Sequence, residues 1–284
     1  MPCANSAAAT AGTVPARSGT GLRVRLGSAL ILIPVALVAV VLGAPYFDAL
    51  VAAAAGLMAW EWVRLCSGGR LPAAGVLAIA VAVAATVAVS FLPVWQAVSI
   101  VAVGAALVGT LAALTGGAPL WLALGTLYAG LPCVAILWLR AAPATGLETL
   151  LWLLVLVWAI DSGAYAVGRA VGGPKLAPVI SPKKTWAGLA GGVAAAMAVG
   201  AVAGFLIDGA SPWVLAAASL VLALVEQAGD LGESALKRRF GAKDSSGLIP
   251  GHGGVLDRVD GLVAVILAVA LASAVTGESV VAWR

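Results

Sequence analysis

The stretch EQAGDLGESALKRRFGAKDSSGLIPGHGGVLDRVDG, residues 226–261, holds six of the chain's twelve acidic residues, five of its sixteen basic residues and its only histidine. The sequence on both sides of this stretch is almost wholly apolar. A charged side chain costs about 2.5–3.5 kcal/mol at the centre of a membrane-spanning helix, even on a lenient scale. A hydrophobic chain that concentrates its charges in one stretch is therefore predicted to use them for chemistry or for transport.

The composition of the whole chain indicates a membrane protein. Hydrophobic residues make up 62% of it, charged residues 10%, and the mean hydropathy is +1.09, whereas soluble domains contain about 25% charged residues. The apolar runs are about 20 residues long, as a membrane-spanning helix requires, and do not alternate like the strands of a membrane β-barrel. The three cysteines lie too far apart for a disulfide framework or a zinc site. We therefore predict an all-α, polytopic integral membrane protein.

The apolar runs predict about nine transmembrane helices, although eight or ten fit nearly as well. The predicted spans are 26–43, 46–64, 73–92, 94–114, 119–139, 147–167, 187–207, 212–232 and 261–280. A small, polar segment without a core pattern precedes them, so residues 1–22 are expected to form a disordered arm. Residues 23–284 are then a single transmembrane catalytic domain with its signature region at 226–261.

The basic residues predict the orientation of these helices. With the N-terminus in the cytoplasm, nine spans put fourteen of the sixteen basic residues on the cytoplasmic side, as the positive-inside rule favours. Only Arg140 and Arg284 fall outside. The same arrangement puts two polar loops, 168–186 and 233–260, on the cytoplasmic face. We expect a multi-pass protein of the cell membrane whose site faces the cytoplasm and is formed by these two loops.

The first polar loop has the composition of a phosphate-binding segment. Asp161, Tyr165 and Arg169 are spaced four residues apart, so they share one face of the helix that leads into it. Several glycines and prolines then exclude a regular helix. Hydroxyl and ammonium groups precede the next span, an arrangement that suits a phosphate, on Ser181, Lys183, Lys184 and Thr185. A basic loop that contacts anionic lipid head groups explains these residues about equally well.

The second polar loop combines carboxylates with cations. A polar stripe with helical spacing leads into it, formed by Glu226, Asp230, Ser234 and Lys237. Asp257 and Asp260 lie three residues apart on one face of the helix that follows. Neighbouring carboxylates repel each other unless a cation lies between them, and Mg²⁺ commonly binds one or two carboxylates together with substrate phosphates. The loop therefore predicts phosphoryl or nucleotidyl transfer assisted by a metal ion.

Plainer interpretations of the same residues remain open. Residues 237–239 have the composition of an ordinary positive-inside cluster. His252, between glycines, is more often a turn residue than a base, and Asp257 with Arg258 can form a structural ion pair. The concentration of charge in one stretch of an otherwise apolar chain is what favours the functional interpretation.

Three segments resemble motifs of the phosphatidate cytidylyltransferase family, also called CDP-diacylglycerol synthases. The longest one runs from Ser234 to Asp260 as SALKRRFGAKDSSGLIPGHGGVLDRVD. The upstream segments DSGAYAVGR, residues 161–169, and KLAPVISPKKT, residues 175–185, are also similar to the family. The chain departs from the family at Ala187, where a glutamate is frequent, and in an N-terminal arm that is longer than usual.

The resemblance implies the Mg²⁺-dependent reaction CTP + phosphatidate → CDP-diacylglycerol + diphosphate, a step of phospholipid biosynthesis. It assigns Asp230 and Asp257 to Mg²⁺, with Asp260 and Asp244 as weaker candidates. The phosphates of both substrates would be held by basic residues, namely Lys183, Lys184, Lys237, Arg238, Lys243 and Arg258. Further contacts to substrate are expected from Asp161, Ser181, Thr185 and Ser234. His252 is expected to position a phosphate or a water on the metal.

The expected partners are CTP, phosphatidic acid and the bilayer, but not nucleic acid, and the resemblance leaves a homodimer open. Another lipid acceptor, such as an isoprenoid ether lipid phosphate or a polyprenol, is an alternative within the enzymes. A secondary transporter with carboxylate ion sites is a third interpretation, but transporters usually carry broken helices in paired repeats near the midplane. The charges here lie at one cytoplasmic boundary, which favours the enzyme.

Overall fold

The computed structural model describes the backbone of residues 20–284 and the side chains of residues 27, 28 and 30–284. The predicted disordered arm, residues 1–22, lies almost entirely outside this part of the chain. Residues 20–284 form nine α-helices and one two-stranded hairpin, followed by a short 3₁₀ helix at Val280–Ala282. In chain order the elements are α1 Thr20–Leu42, α2 Tyr46–Cys66, α3 Ala73–Ala88, α4 Val94–Leu114, α5 Pro119–Arg140, α6 Gly146–Val171, β1 Lys175–Ala177, β2 Ser181–Thr185, α7 Trp186–Leu206, α8 Pro212–Arg239 and α9 Leu256–Thr276.

Seven of the described helices, α2 and α4–α9, are long and apolar enough to cross a membrane. The apolar part of α1, Leu30–Leu42, and the whole of α3 are shorter. The 16 residues of α3 reach only about 24 Å at 1.5 Å per residue, against a hydrocarbon core of about 30 Å. The helical, multi-pass class is thus confirmed, and the count of nine spans remains a prediction where it depends on α1 and α3.

Prolines determine where five helices start. Pro119 and Pro212 are the first residues of α5 and α8, and α2, α3 and α4 begin directly after Pro45, Pro72 and Pro93. The N–H groups of the first helical turn have no partner inside the helix, so a proline there loses no hydrogen bond. The predicted span starts at 46, 73, 94, 119 and 212 are all confirmed as helix starts.

Small residues let α6, α7 and α8 approach one another closely. A side chain on Gly163 of α6 would begin 2.8 Å from the carbonyl oxygen of Gly191 on α7. A side chain on Gly200 of α7 would begin 2.3 Å from the carbonyl oxygen of Leu215 on α8. Only glycine therefore allows these contacts, and such close packing is what drives helix association in lipid. The resulting layer of three helices holds the two polar segments of the sequence side by side.

The first polar loop contains a β-hairpin, which corrects the prediction of an all-α fold to nearly all-α. β1 pairs antiparallel with β2, with Lys175 opposite Thr185 and Ala177 opposite Ser181. Three prolines exclude a helix here, and pairing across a hairpin is another way to satisfy the backbone hydrogen-bonding groups. Because β2 runs directly into α7, the hydroxyl and ammonium groups at its end lie at the start of that helix.

We expect a cysteine placed at Gly247, in the second polar loop, to be labelled only from the cytoplasmic side. Gly247 is exposed and has open space around the position of a side chain. The loop follows the basic end of α8, with Lys237, Arg238 and Arg239, which the positive-inside rule assigns to the cytoplasm. A membrane-impermeant maleimide, applied to intact cells and to inverted vesicles, measures this in a chain whose native cysteines are alanine.

The matched control is Ala144→Cys, an exposed position between α5 and α6 that should show the opposite pattern. Labelling of the Gly247→Cys chain in intact cells would contradict the predicted orientation.

Candidate functional site

A cleft of about 410 Å³ lies between α6, β2, α7 and α8. Its polar lining comes from both predicted polar segments, namely Asp161, Tyr165, Arg169, Lys183, Lys184, Thr185, Glu226 and Gln227. The close packing of α6, α7 and α8 brings these residues together, although they are distant in sequence. The cleft therefore joins the first polar loop to the polar stripe of α8, and we take it as the candidate site.

An ion pair between Lys184 and Asp230 links the hairpin to α8. Both side chains are 22% exposed, so water and ligands can reach them. Ser234, one turn further along α8, donates a hydrogen bond of 3.3 Å to the other oxygen of Asp230. A ligand that offers a phosphate to Lys184 and a cation to Asp230 could replace this pair.

The start of α7 has the features of an anion site. Thr185 caps the helix, and its hydroxyl accepts a hydrogen bond of 3.0 Å from the backbone N–H of Gly188. Lys183 is exposed at the cleft, and Arg169 lies on the α6 wall, where it donates a hydrogen bond of 2.8 Å to the hydroxyl of Tyr165. Helix N-termini favour anions through their unpaired N–H groups and the helix dipole. Ser181 lies further back in β2 and is not among the residues that line the cleft.

Carboxylates are numerous beside the Lys184–Asp230 pair. Asp161, Glu226, Asp230 and Asp260 lie close enough for their charges to interact, and the cations that offset them include Lys184 and Arg258. We call these four carboxylates the acidic cluster. An excess of negative charge in a partly buried place favours a bound cation.

The acidic cluster fits Mg²⁺ only in combination with a ligand. Within residues 27–284, no three His, Cys, Asp or Glu side chains converge closely enough to hold a metal ion by themselves. Mg²⁺ does not need such a cage, because it keeps several waters and commonly binds one or two carboxylates plus substrate phosphates. Asp230 and Asp260 suit this pattern, since both are half-buried, and the hydrogen bond that Asp260 accepts is from the N–H of its neighbour Gly261, at 2.9 Å.

Asp257, by contrast, is fully engaged inside the protein. One oxygen accepts a hydrogen bond of 2.6 Å from Lys237. The other accepts three, from the N–H and the hydroxyl of Ser245 at 2.9 and 3.0 Å and from the N–H of Gly254 at 2.8 Å. Lys237 also pairs with Glu233 at 2.5 Å, and all three charged residues are buried. This geometry gives no support to a metal role for Asp257 or a phosphate role for Lys237. The ion-pair partner of Asp257 is Lys237. The sequence had suggested Arg258 as an alternative partner.

The glycine turn before α9 is shaped by these carboxylates. A side chain on Gly253, which has φ +88°, would begin 2.7 Å from Asp257 Oδ2. A side chain on Gly254 would begin 2.1 Å from the hydroxyl of Ser245. His252 lies against α1, where its Nδ1 is 2.8 Å from the hydroxyl of Ser28. This contact agrees with the plainer interpretation of His252 as a turn residue.

Glu61 of α2 is the residue that sequence reasoning missed. Its side chain is fully buried and lies within hydrogen-bonding distance of four donors of the second polar loop, one of which, the hydroxyl of Ser245, is shared with Asp257. The donors are the hydroxyls of Ser245 and Ser246, at 3.1 and 2.6 Å, and the N–H groups of Val255 and Leu256, both at 2.8 Å. A carboxylate inside an apolar span needs such partners. The presence of a glutamate in a predicted span was therefore the feature of the sequence that could have identified Glu61. The sequence places Glu61 inside the second predicted span, 46–64.

The remaining predicted residues lie on the exposed side of the second loop. Arg238 donates a hydrogen bond of 3.1 Å to the carbonyl oxygen of Ala242. Asp244 lines a separate hollow of about 440 Å³ that includes Glu61. Lys243 and Arg258 are exposed, and Arg258 interacts by charge with Asp161. None of these predicted residues is among those that line the cleft in the described part of the chain.

Gln227 is a second residue that the sequence did not single out. It lines the cleft beside Glu226 and is only 8% exposed. Its Nε2 has no hydrogen-bond partner among the residues that the structure describes. Such a buried donor is costly unless a water or a ligand accepts its hydrogen bond, so Gln227 adds to the case for a ligand in the cleft.

We expect Glu61→Gln to destabilise the protein. The amide can accept hydrogen bonds through only one atom, so at least one buried donor of the loop loses its partner, at a cost of about 1–3 kcal/mol for each. Thermal unfolding of the detergent-purified protein, followed by tryptophan fluorescence, measures the change. Glu148→Gln, the same substitution at an exposed position of α6, is the control and should leave the midpoint unchanged. An unchanged midpoint for both variants would contradict the structural role of Glu61.

We also expect Asp257→Asn and Asp230→Asn to differ in stability. Loss of the Asp257 charge leaves Lys237 and three further donors poorly matched in a buried place, and breaking a buried ion pair costs about 3–5 kcal/mol. Asp230 is partly exposed, and water can solvate its partner Lys184, so its loss should cost about 1 kcal/mol or less. The same thermal unfolding measurement compares the two, and equal midpoints would show that Asp257 is not a structural residue.

Comparison with known proteins agrees with the resemblance of the motifs. The chain is 49% identical over 158 residues to a phosphatidate cytidylyltransferase of Brucella suis biovar 1 (strain 1330), an alignment that covers 56% of this chain and 58% of that relative. It is 41% identical over 134 residues to a phosphatidate cytidylyltransferase of Staphylococcus haemolyticus (strain JCSC1435), with 47% of this chain and 52% of the relative covered.

The chain thus matches a little over half the length of these curated relatives. The family match is longer, because the model of the cytidylyltransferase family matches residues 23–276, which include the cleft, the acidic cluster and the second polar loop. The chain belongs to the cytidylyltransferase family.

Proposed function

We propose that this protein transfers a cytidylyl group from CTP to phosphatidate and releases diphosphate, which yields CDP-diacylglycerol for phospholipid biosynthesis. The observation that carries the proposal is the cleft beside α8, where the cations of β2 and the start of α7 face the acidic cluster. Nucleotidyl transfer needs this combination of phosphate-binding cations and metal-binding carboxylates. Membership of the cytidylyltransferase family and the names of the relatives support the same reaction.

The triphosphate of CTP suits the hairpin side of the cleft. The N-terminus of α7 and the exposed Lys183 offer donors on one wall, and Arg169 offers a guanidinium on the other. Charge-assisted hydrogen bonds to phosphate are about twice as strong as neutral ones. Lys184 would exchange Asp230 for a phosphate oxygen, which would leave the carboxylate of Asp230 without its cation.

Asp230 and Asp260, with Asp161 close by, would then hold Mg²⁺ together with the phosphates. When bound, Mg²⁺ would neutralise phosphate charge and reduce the repulsion between the two anionic substrates. Asp257 and Lys237 have a different part in this proposal. Their buried pairing holds the start of α9, and therefore Asp260, in place beside α8.

The acceptor lipid supplies its own nucleophile. An oxygen of its phosphate forms a bond to the α-phosphorus of CTP as the bond from that phosphorus to the oxygen bridging to the β-phosphate breaks. The diphosphate leaves with the electron pair of the broken bond. A phosphate monoester is mostly ionised at pH 7, because its second pKa is about 6, so no side chain has to remove a proton. The protein contributes positioning and charge neutralisation.

We propose that the reaction takes place on the cytoplasmic side of the membrane. The ends of α6 and α8 and the hairpin belong to the two polar loops, and the basic residues of those loops favour the cytoplasmic face of a bacterial cell membrane. CTP and Mg²⁺ would reach the cleft from that side, and phosphatidate would come from the bilayer.

The test is diphosphate release by the detergent-purified protein. We expect release that requires CTP, Mg²⁺ and phosphatidate together, and that stops with a chelator and returns with added Mg²⁺. Lys184→Ala should lower kcat/KM about 10²-fold or more, as expected when a group that stabilises transition-state charge is lost. Lys175→Ala, in the same hairpin but outside the cleft lining, should have little effect.

Two outcomes would change the proposal. Release with a different lipid phosphate, but none with phosphatidate, would keep the chemistry and replace the acceptor. No release with any lipid phosphate would overturn the proposed function.

A further inference from the structure

A second hollow of about 310 Å³ lies between α2, α5 and α8, apart from the cleft. We call it the aromatic groove, and its lining residues are Trp62, Trp121, Tyr128, Gly232, Glu233, Ala235, Leu236 and Arg239. None of these residues lines the cleft. The groove residues come from the last two turns of α2, the first three turns of α5 and the last turns of α8.

One wall of the groove is a set of interlocked aromatic rings. The rings of Trp62 and Tyr128 are 4.9 Å apart, and the indole N–H of Trp62 donates a hydrogen bond of 2.8 Å to the carbonyl oxygen of Trp121. The guanidinium of Arg239 lies over the ring of Trp121, 5.1 Å from its centre. Tryptophan and tyrosine favour the boundary between head groups and hydrocarbon, so this wall suits contact with a lipid.

The floor of the groove on α8 is open at Gly232. This residue is exposed, and a Cβ placed there would have no neighbouring atom within 4 Å. At the outer end, Arg239 is exposed and forms no ion pair with any residue of the described part of the chain. The groove therefore combines an apolar channel with an available cation at its polar end.

The inner side of the groove approaches the acidic cluster from the other side of α8. Glu233 lines the groove and is paired with Lys237. Lys237 pairs in turn with Asp257 at the start of α9. The groove thus contacts the buried pairing that positions Asp260 beside α8.

We infer that the aromatic groove admits the acceptor as a bilayer lipid with a phosphomonoester head group. Arg239 attracts the phosphate, the aromatic wall contacts the glycerol backbone and the first acyl carbons, and the chains remain in the membrane. The nucleotide and the lipid then reach the acidic cluster from opposite sides of α8. This inference rests on the proposed function, and it adds the route and the residues that select the lipid.

Gly232→Leu tests the groove through kinetics. The side chain fills the open floor, so the KM for phosphatidate in mixed micelles should rise about tenfold while the KM for CTP stays within a factor of two. Leucine is a better helix former than glycine, so the change should not weaken α8. Ala217→Leu, at an exposed position of α8 outside the groove lining, is the matched control and should leave both values unchanged. An unaltered KM for phosphatidate in Gly232→Leu would overturn the inference.

A second experiment does not depend on turnover. In a chain whose native cysteines are alanine, Gly232→Cys is labelled with a maleimide in micelles that contain phosphatidate or phosphatidylcholine. Phosphatidate should slow the labelling several-fold and phosphatidylcholine should not, while Ala217→Cys should respond to neither lipid.

The two experiments separate the inference from the proposed function. Equal labelling rates with both lipids would overturn the groove even if diphosphate is released. Protection by phosphatidate without diphosphate release would overturn the proposed function and leave the groove as a lipid site.

Discussion

Two buried carboxylates, Glu61 and Asp257, determine the shape of the second polar loop. Seven donor groups surround the two carboxylates, and the hydroxyl of Ser245, which has a single proton, lies within hydrogen-bonding distance of both. A buried charge that lacks such partners is strongly unfavourable. The loop supplies the donors through two serines and through the N–H groups at the start of α9. The glycines at 253 and 254 leave room for the carboxylate oxygens and the serine hydroxyl that lie against them. The serine and glycine pattern of the loop is thus explained by the hydrogen bonds and close contacts of these two carboxylates.

The same constraint divides the charges of α8 into two groups. Glu233 and Lys237 are buried, and Lys237 forms ion pairs with both Glu233 and Asp257. Asp230 is paired with a partly exposed lysine at the cleft, and this pair can open when a ligand offers better partners. Removal of one partner from a buried pair leaves an uncompensated charge, whereas an exposed pair contributes little. On α8, Glu233 and Lys237 therefore hold the fold, whereas the pair formed by Asp230 is exposed enough to open for a ligand.

The sequence predicted the membrane class and the starts of five helices, because each depends on local pattern. Proline has the same effect at the start of any helix, and twenty apolar residues suffice to identify a span. The link from Glu61 to Ser245 was not predictable in this way, since the two residues are 184 positions apart. Helical spacing places a carboxylate on a face of its own helix and says nothing about what packs against that face. For the same reason, three further features required the structure. These are the hydrogen bonds to both oxygens of Asp257, the β-hairpin, and the side-chain amide of Gln227, whose Nε2 has no partner among the described residues.

The proposed reaction joins two anionic substrates, one soluble in water and one held in the bilayer. CTP arrives from water, whereas a diacyl lipid must keep its chains in hydrocarbon, because each buried CH₂ is worth about 0.8 kcal/mol. A single entrance would force one substrate through the environment of the other, so an enzyme of this kind needs a polar opening and a lateral one. The cleft and the aromatic groove flank α8, and the acidic cluster lies beside the Lys184–Asp230 pair of the cleft. In the proposed reaction, a cation held by carboxylates of α8 and α9 would bring both phosphates to one point, which would account for a polar stripe along α8 in a chain so poor in charge.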